Sequence, residues 1–299
     1  MFPGQGSQSP GMLVTVPSER LARVKELTGI DLCDQDYSDA VKTQLAILTL
    51  QLWQVDRLRA QGFNPTVVGG HSLGVFAAAY AAGIYQAADL IKIVQRRAEL
   101  MTKGYSNTDG YGLGVVLGLT RAEVEGLVSQ VNSTAYPVAA SNQNAPLQTA
   151  LSGKLSAIKR VLKLANQAGA NKALVLAVPT LSHSPLMAPV ARHLSTYLDQ
   201  FPANRPQCLY LANYDGHLKR SLAEIKYDLG HNLAHPVFWD TMLDVACELD
   251  LQVAVEMSPG TVLSKLLSQK NDSIRRIPLA RYGIDDSCYL LTKFTKKTS

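Results

Sequence analysis

Thr66-Val67-Val68-Gly69-Gly70-His71-Ser72-Leu73-Gly74-Val75-Phe76-Ala77-Ala78-Ala79 is the stretch on which the fold turns. It opens β-branched and closes Ala-rich, and between the two lies Gly70-His71-Ser72-Leu73-Gly74, a G-x-S-x-G pattern where a strand runs into a helix. So sharp a turn pushes the serine hydroxyl out of the backbone, and the flanking glycines let neighbouring chain pack close. The helix that follows aims free N–H groups at the same spot and favours developing negative charge there. The pentapeptide alone is common by chance. A strand before it and a helix after it point to a nucleophile rather than a structural turn.

Upstream, Leu45, Leu48, Leu52 and Val55 recur at helical spacing, so a helix is expected from about Val41 to Gln61, with Asp39 as N-cap and Gly62 just past its end. Downstream a helix is expected over Gln86–Met101. The pattern then changes. Leu113–Leu117 reads as a strand, Thr120–Val131 as a helix opened by the capping box of Thr120 and Glu123, Pro137–Ala140 and Leu147–Leu151 as strands, Leu155–Ala168 as a helix and Ala173–Val178 as a strand. That βαββαβ order is ferredoxin-like. Beyond it come a helix near Pro185–Phe201, a strand near Cys208–Ala212, helices near Ser221–Leu233 and Val237–Leu249, a strand at Gln252–Met257, the turn Ser258-Pro259-Gly260 and a helix from Thr261.

Alternation of strands and helices argues for an α/β fold with a mostly parallel sheet. The expected organisation is a hydrolase-like core of residues 1–108 and 180–299, interrupted by a ferredoxin-like subdomain over 109–179. Lys293–Ser299 is polar and basic and is expected to fray.

Composition narrows the function. With 299 residues and 46% hydrophobic content the chain can bury a large core. No apolar run approaches the roughly 20 residues that span a bilayer, and Met1-Phe2-Pro3-Gly4 opens without a basic or apolar leader, so neither membrane insertion nor a secretory signal is expected. Cys33, Cys208, Cys247 and Cys288 are scattered, without metal-ligand spacing, and suit a reducing cytoplasm. The net charge of +5 is too diffuse for nucleic acid, but suits an acidic partner or an anionic substrate.

A serine needs a base to take its proton. The histidines are His71, His183, His193, His217, His231 and His235. His71 adjoins the serine, but consecutive residues in an elbow diverge. His193 falls within a helix and His217 in a polar turn. His183, between a strand end and Pro185, stands where sites of α/β folds collect. These arguments favour it without excluding the others. An aspartate to orient the base is not evident: between Ser72 and His183 only Asp89 and Asp109 occur, one in a helix and one in a Gly-rich loop.

Several segments, in order and spacing, resemble the malonyl-CoA:acyl carrier protein transacylases. They are Phe2-Pro3-Gly4-Gln5-Gly6-Ser7-Gln8, Thr43-Gln44, Gly70–Gly74, Arg96-Arg97, Ser182-His183-Ser184-Pro185-Leu186-Met187, Asn232-Leu233-Ala234-His235-Pro236-Val237 and Ser258-Pro259-Gly260-Thr261-Val262-Leu263. The resemblance implies Ser72 as acyl-carrying nucleophile and His183 as its base. It also implies Gln5 and Leu73 as oxyanion-hole N–H donors, Arg97 as the clamp on the malonyl carboxylate, and Asn232 as the residue whose carbonyl orients His183. It implies malonyl-CoA as substrate, a phosphopantetheine-type arm on an acyl carrier protein as acceptor, and no bound metal or cofactor. The family normally has a short strand before Phe2-Pro3-Gly4-Gln5-Gly6; here the sequence opens on that motif, so a shortened sheet and a less anchored Gln5 are expected.

Within the family the sequence looks most like the acyltransferase subunit of malonate decarboxylase. Val75 follows Gly74 where the enzymes of fatty acid synthesis usually carry Glu, and Tyr111–Val116 and His231–Val237 share that likeness. The partners implied are a carrier with a phosphoribosyl-dephospho-coenzyme A arm and the other decarboxylase subunits. The alternatives are a transacylase of fatty acid synthesis, a serine esterase or thioesterase, and an inactive carrier-docking subunit.

Overall fold

The computed structural model describes residues 1–104, 110–176 and 181–295. The chain is mixed α/β. It opens with α1 (Ser18–Thr28), α2 (Ala40–Ala60), β1 (Val67–Gly69), α3 (Gly74–Ala81) and α4 (Ala87–Gly104). The Asp39 side chain accepts from Lys42 N and starts α2. Helix α3 is buried on almost every side, as its unbroken apolar sequence requires.

The next stretch contains β2 (Tyr111–Leu117), α5 (Arg121–Val131), β3 (Val138–Ala145), β4 (Gln148–Lys154), α6 (Leu155–Gln167) and β5 (Lys172–Leu176). Both bonds of the Thr120–Glu123 capping box are present. The strands form one antiparallel sheet in the order β3-β4-β2-β5. Val116, Val124, Leu151, Ile158 and Val161 belong to a hydrophobic cluster distinct from the main core.

The chain then continues through a short 3-10 turn (Pro185–Met187), α7 (Ala188–Leu198), β6 (Leu209–Leu211), β7 (Leu218–Lys219), α8 (Leu222–His231), α9 (Trp239–Cys247), β8 (Val253–Glu256), α10 (Val262–Lys270), β9 (Arg275–Pro278) and α11 (Leu279–Thr295). Strand β1 pairs in parallel with β6, which pairs antiparallel with β7, while β8 and β9 pair in parallel.

Met1 and Phe2 join these two short sheets. Phe2 N donates to Gly69 O (3.0 Å) and Phe2 O accepts from His71 N (2.8 Å), while Met1 N donates to Val255 O (2.7 Å) and Met1 O accepts from Met257 N (2.9 Å). Phe2 is therefore anchored beside the elbow, although Gln5 is exposed.

Helices α1 and α11 were not expected from the sequence. Only Val24 of α1 is buried, so its pattern is weak, and α11 is interrupted at Gly283, whose φ is 72°. Lys293–Thr295, expected to fray, lie in α11; residues 296–299 are outside the described residues, as are Ala177 and Val178 of the last expected strand of the inserted stretch. Among the described residues no helix is long and apolar enough to cross a membrane.

Candidate active site

The elbow stands between β1 and α3. A Cβ on Gly70 would lie 2.1 Å from Gly74 C, and one on Gly74 would lie 1.9 Å from Phe2 O. Only hydrogen fits at either place, which is why the flanking positions are glycine. Ser72 has φ 53°, in the left-handed region that non-glycine residues rarely occupy.

His183 precedes the 3-10 turn and is also left-handed, at φ 56°. Its Nε2 lies 2.7 Å from Ser72 Oγ and its Nδ1 lies 3.0 Å from His235 O. A carbonyl can only accept, so Nδ1 carries the proton and Nε2 is left to accept from the serine hydroxyl. The His183 carbonyl in turn accepts from Ser152 Oγ (3.3 Å) on β4, which ties the base to the inserted stretch. Burial lowers the His183 pKa to about 3, assisted by the positive charge of Arg97 and by His71, while the His235 and Asn232 main chains act the other way. The ring is neutral at neutral pH.

Arg97, on α4, is 1% exposed. Nη1 donates to Gln44 Oε1 (2.5 Å), and Nη2 lies 3.3 Å from both Ser72 Oγ and Asn232 Oδ1. The guanidinium is 5.8 Å from the Phe76 ring. Among the described residues no carboxylate pairs with it, and its buried Nε has no partner. Burial pushes its pKa down to about 9, so it stays charged at neutral pH. A buried cation without a counter-ion, beside a paired serine hydroxyl, suits an anionic group.

The Phe2–Gly6 loop passes the elbow closely: a Cβ on Gly4 would lie 3.6 Å from both Leu73 N and Ser72 Cβ. No acceptor among the described residues takes the N–H of Gln5 or Leu73.

Asn232 lies at the end of α8 and is buried. His183 Nδ1 donates to His235 O, and a backbone hydrogen bond with Asn232, the main-chain influence the resemblance implies, also favours the protonated ring. The Asn232 side chain faces Arg97 and Asn213. His71 bonds to Asn144 Oδ1 (2.8 Å) and packs on Trp239; His193 and His217 are exposed. Asp89 is in the first turn of α4, and Asp109 is outside the described residues.

Sequence reasoning missed three contributors. Gln44 was noticed within a motif but given no contact. His235 contributes its main chain, not its ring, so weighing the histidines as bases does not find it. Asn213, whose side chain accepts from Ser72 N (3.0 Å), follows directly on β6, and that carboxyl-edge position was the signal available.

A serine presented this way, paired with a histidine on a mixed α/β frame, suits acyl chemistry through a serine ester. The chain belongs to the acyl transferase domain family, whose profile matches residues 1–283. It is similar to the malonyl CoA-acyl carrier protein transacylase of Haemophilus influenzae, with 30% identity covering 89% of each chain. Among solved structures it is similar to the acyl-carrier-protein S-malonyltransferase of Burkholderia pseudomallei, with a TM-score of 0.88, 28% identity and 98% of each chain covered. It is also similar to a malonyl-transacylase solved in complex with a type II polyketide acyl-carrier protein, with a TM-score of 0.89, 26% identity, and coverage of 99% of this chain and 98% of that one.

Proposed function

We propose that this acyltransferase moves a malonyl group from malonyl-CoA to the thiol arm of an acyl carrier protein through a malonyl ester of Ser72. The observation that carries the reading is Arg97: a buried, uncompensated guanidinium 3.3 Å from Ser72 Oγ suits an acyl group that ends in a carboxylate.

His183 takes the Ser72 proton as Oγ attacks the thioester carbonyl. The oxyanion rests on the N–H groups of Gln5 and Leu73, each such donor being worth about 3 kcal/mol. The carbon–sulfur bond breaks, coenzyme A leaves as its thiol with the proton from His183, and the carrier thiol reverses the steps. The Asn232 side chain meets Arg97, and the His183 ring is oriented by the His235 carbonyl with a further backbone contribution from Asn232.

The division of the chain into a hydrolase-like core (1–108 and 180–299) and a ferredoxin-like subdomain (109–179) fits the separate apolar cluster and the β3-β4-β2-β5 order. Between Glu125 and Asp199 the sequence has no acidic residue, while Lys159, Lys163 and Lys172 are exposed, which suits an acidic carrier.

Val75 after Gly74 supports the malonate decarboxylase subunit as the particular role; the names of the similar proteins favour an acyl carrier protein, in one case of a type II polyketide system, as the acceptor, and a transacylase of fatty acid synthesis remains the alternative. The test is intact-protein mass spectrometry after brief mixing with malonyl-CoA, followed by candidate carriers. A malonyl adduct that is absent in Ser72→Ala and passes to a carrier is expected, and the carrier that accepts it decides the role. Free malonate without a transferable adduct would instead mark a hydrolase.

A further inference from the structure

The ladder between β1 and β6 ends at Gly69 opposite Leu211. Beyond it the first chain turns into the elbow, and no β6 main chain can follow a residue at φ 53°. The backbone polar groups there are buried and need partners. Asn213 supplies them from its side chain: Nδ2 donates to Gly70 O (2.6 Å) and Oδ1 accepts from Ser72 N (3.0 Å). One carboxamide thus brackets His71 and substitutes for the missing strand.

Asn213 is itself held. Its N–H and that of Tyr214 donate to Asp228 Oδ1 (2.9 and 3.2 Å), and Tyr210 Oη donates to Asp228 Oδ2 (2.7 Å). Its carbonyl accepts from Phe238 N (2.9 Å). Asn213, Asp228 and Tyr210 are at most 1% exposed. Oδ1 of Asn213 also accepts from Asn232 Nδ2 (3.3 Å), whose own Oδ1 meets Arg97. The same carboxamide therefore touches the elbow carrying the nucleophile and the residue steadying the guanidinium.

We infer that Asn213 is a positioning residue for acyl transfer, holding the Gly70–Ser72 backbone in register with His183, and that Asp228 fixes Asn213 from behind. The inference rests on Ser72 and His183 acting as nucleophile and base. Asn213 touches no substrate; it acts by keeping Ser72 Oγ at its 2.7 Å distance from His183 Nε2.

The test measures the rate at which an alkyl fluorophosphonate labels Ser72. Ser72 Oγ forms a bond to phosphorus, the P–F bond breaks, fluoride leaves and His183 takes the serine proton, so the rate reports the elbow independently of malonyl recognition. Rates are taken per folded protein, from thermal melts on the same samples. Asn213→Ala is expected to slow labelling about 100-fold, the scale of an ångström of misplacement. Its KM for malonyl-CoA should stay within about threefold of the parent while kcat falls with the labelling rate. Asp228→Ala should lose a comparable amount, and Asp228→Asn, which keeps an acceptor for the Asn213 N–H, should recover most of it. The Asp228 pair carries the test if Asn213→Ala does not fold. Labelling of Asn213→Ala at the parent rate, or equal rates in the two Asp228 variants, would overturn the inference alone. Absence of labelling in the parent protein would overturn the reading of Ser72 along with it.

Discussion

The surroundings of Ser72 and the interior of the inserted stretch are built on opposite plans. Beside Ser72 runs a buried set of polar, interlocked residues: Gln44, Arg97, Asn213, Asp228 and Asn232 are all nearly inaccessible and linked by hydrogen bonds. Inside the inserted stretch the buried cluster is Val, Leu, Ile and Ala, and the charges of α6, Lys159, Arg160 and Lys163, face outward. An apolar core tolerates loss gradually, through cavity size, whereas a buried polar network fails wherever one member is left unpaired. The first plan suits chemistry and the second suits a scaffold.

The largest expected effect tests the polar side. Ser72→Ala should reduce transfer by about 10^6-fold, the order seen when a serine nucleophile is separated from its base; a residual rate within tenfold of the parent would remove the serine from the mechanism. Arg97→Met comes next. Malonyl transfer should fall about 100-fold, the loss of two charge-assisted bonds, while acetyl transfer is maintained or improves. The same variant leaves the buried Gln44 Oε1 and Asn232 Oδ1 without their guanidinium donor, so it should also melt lower in a thermal scan. A melting point at or above the parent's would show that the uncompensated buried charge costs more than its hydrogen bonds return.

The apolar side is tested by Ile158→Ala, fully buried in the second cluster. It should cost about 2–5 kcal/mol. Hydrogen exchange should rise across β2 to β5, with the labelling rate of Ser72 nearly unchanged. Equal loosening around Ser72 would erase the contrast between the two regions.

The smallest effect concerns pH. Burial raises the Asp228 carboxyl to about 7 against the bonds from Tyr210, Tyr214 and Asn213, with the charge of Asp215 adding to the rise. The folded state therefore binds this proton more tightly than the unfolded chain. The stability it contributes is complete at low pH and is lost as pH rises through about 7. Asp228→Asn has no proton to lose, so its melting temperature should gain on the parent's between about pH 5 and pH 8. A constant difference across that range would mean that Asp228 does not titrate there.

Much of this was legible in the sequence, for reasons that differ by element. Helix α2 declared itself through its period and its Asp39 cap, and α5 through Thr120 and Glu123, because both signals are local. The elbow was legible because its glycines are demanded by contacts of under 3 Å. Ser72 and its resemblance to known transacylases led to His183, and the two do meet. Asn213, Asp228 and the His235 carbonyl were not legible, because their partners lie far along the chain and pattern does not record a side chain that stands in for a strand. The main-chain influence of Asn232 on His183 is joined by the carbonyl of His235, three residues later, and the contact of the Asn232 side chain with Arg97 leaves no mark in the sequence.

Met1 and Phe2, which join the two short sheets, also impose an order of events. Their partners include Gly69, His71, Val255 and Met257, so the clasp cannot close until the chain has been synthesised past Met257. Contacts of such long separation are slow to form. The stretch from β2 to β5, whose strands pair with one another and, among the described residues, make one bridge outside, from Gln143 to Phe238, can assemble most of its sheet while the ribosome is still adding the rest. The nascent protein is then only partly built, and the elbow that carries Ser72 is not fully seated until residues far downstream have emerged.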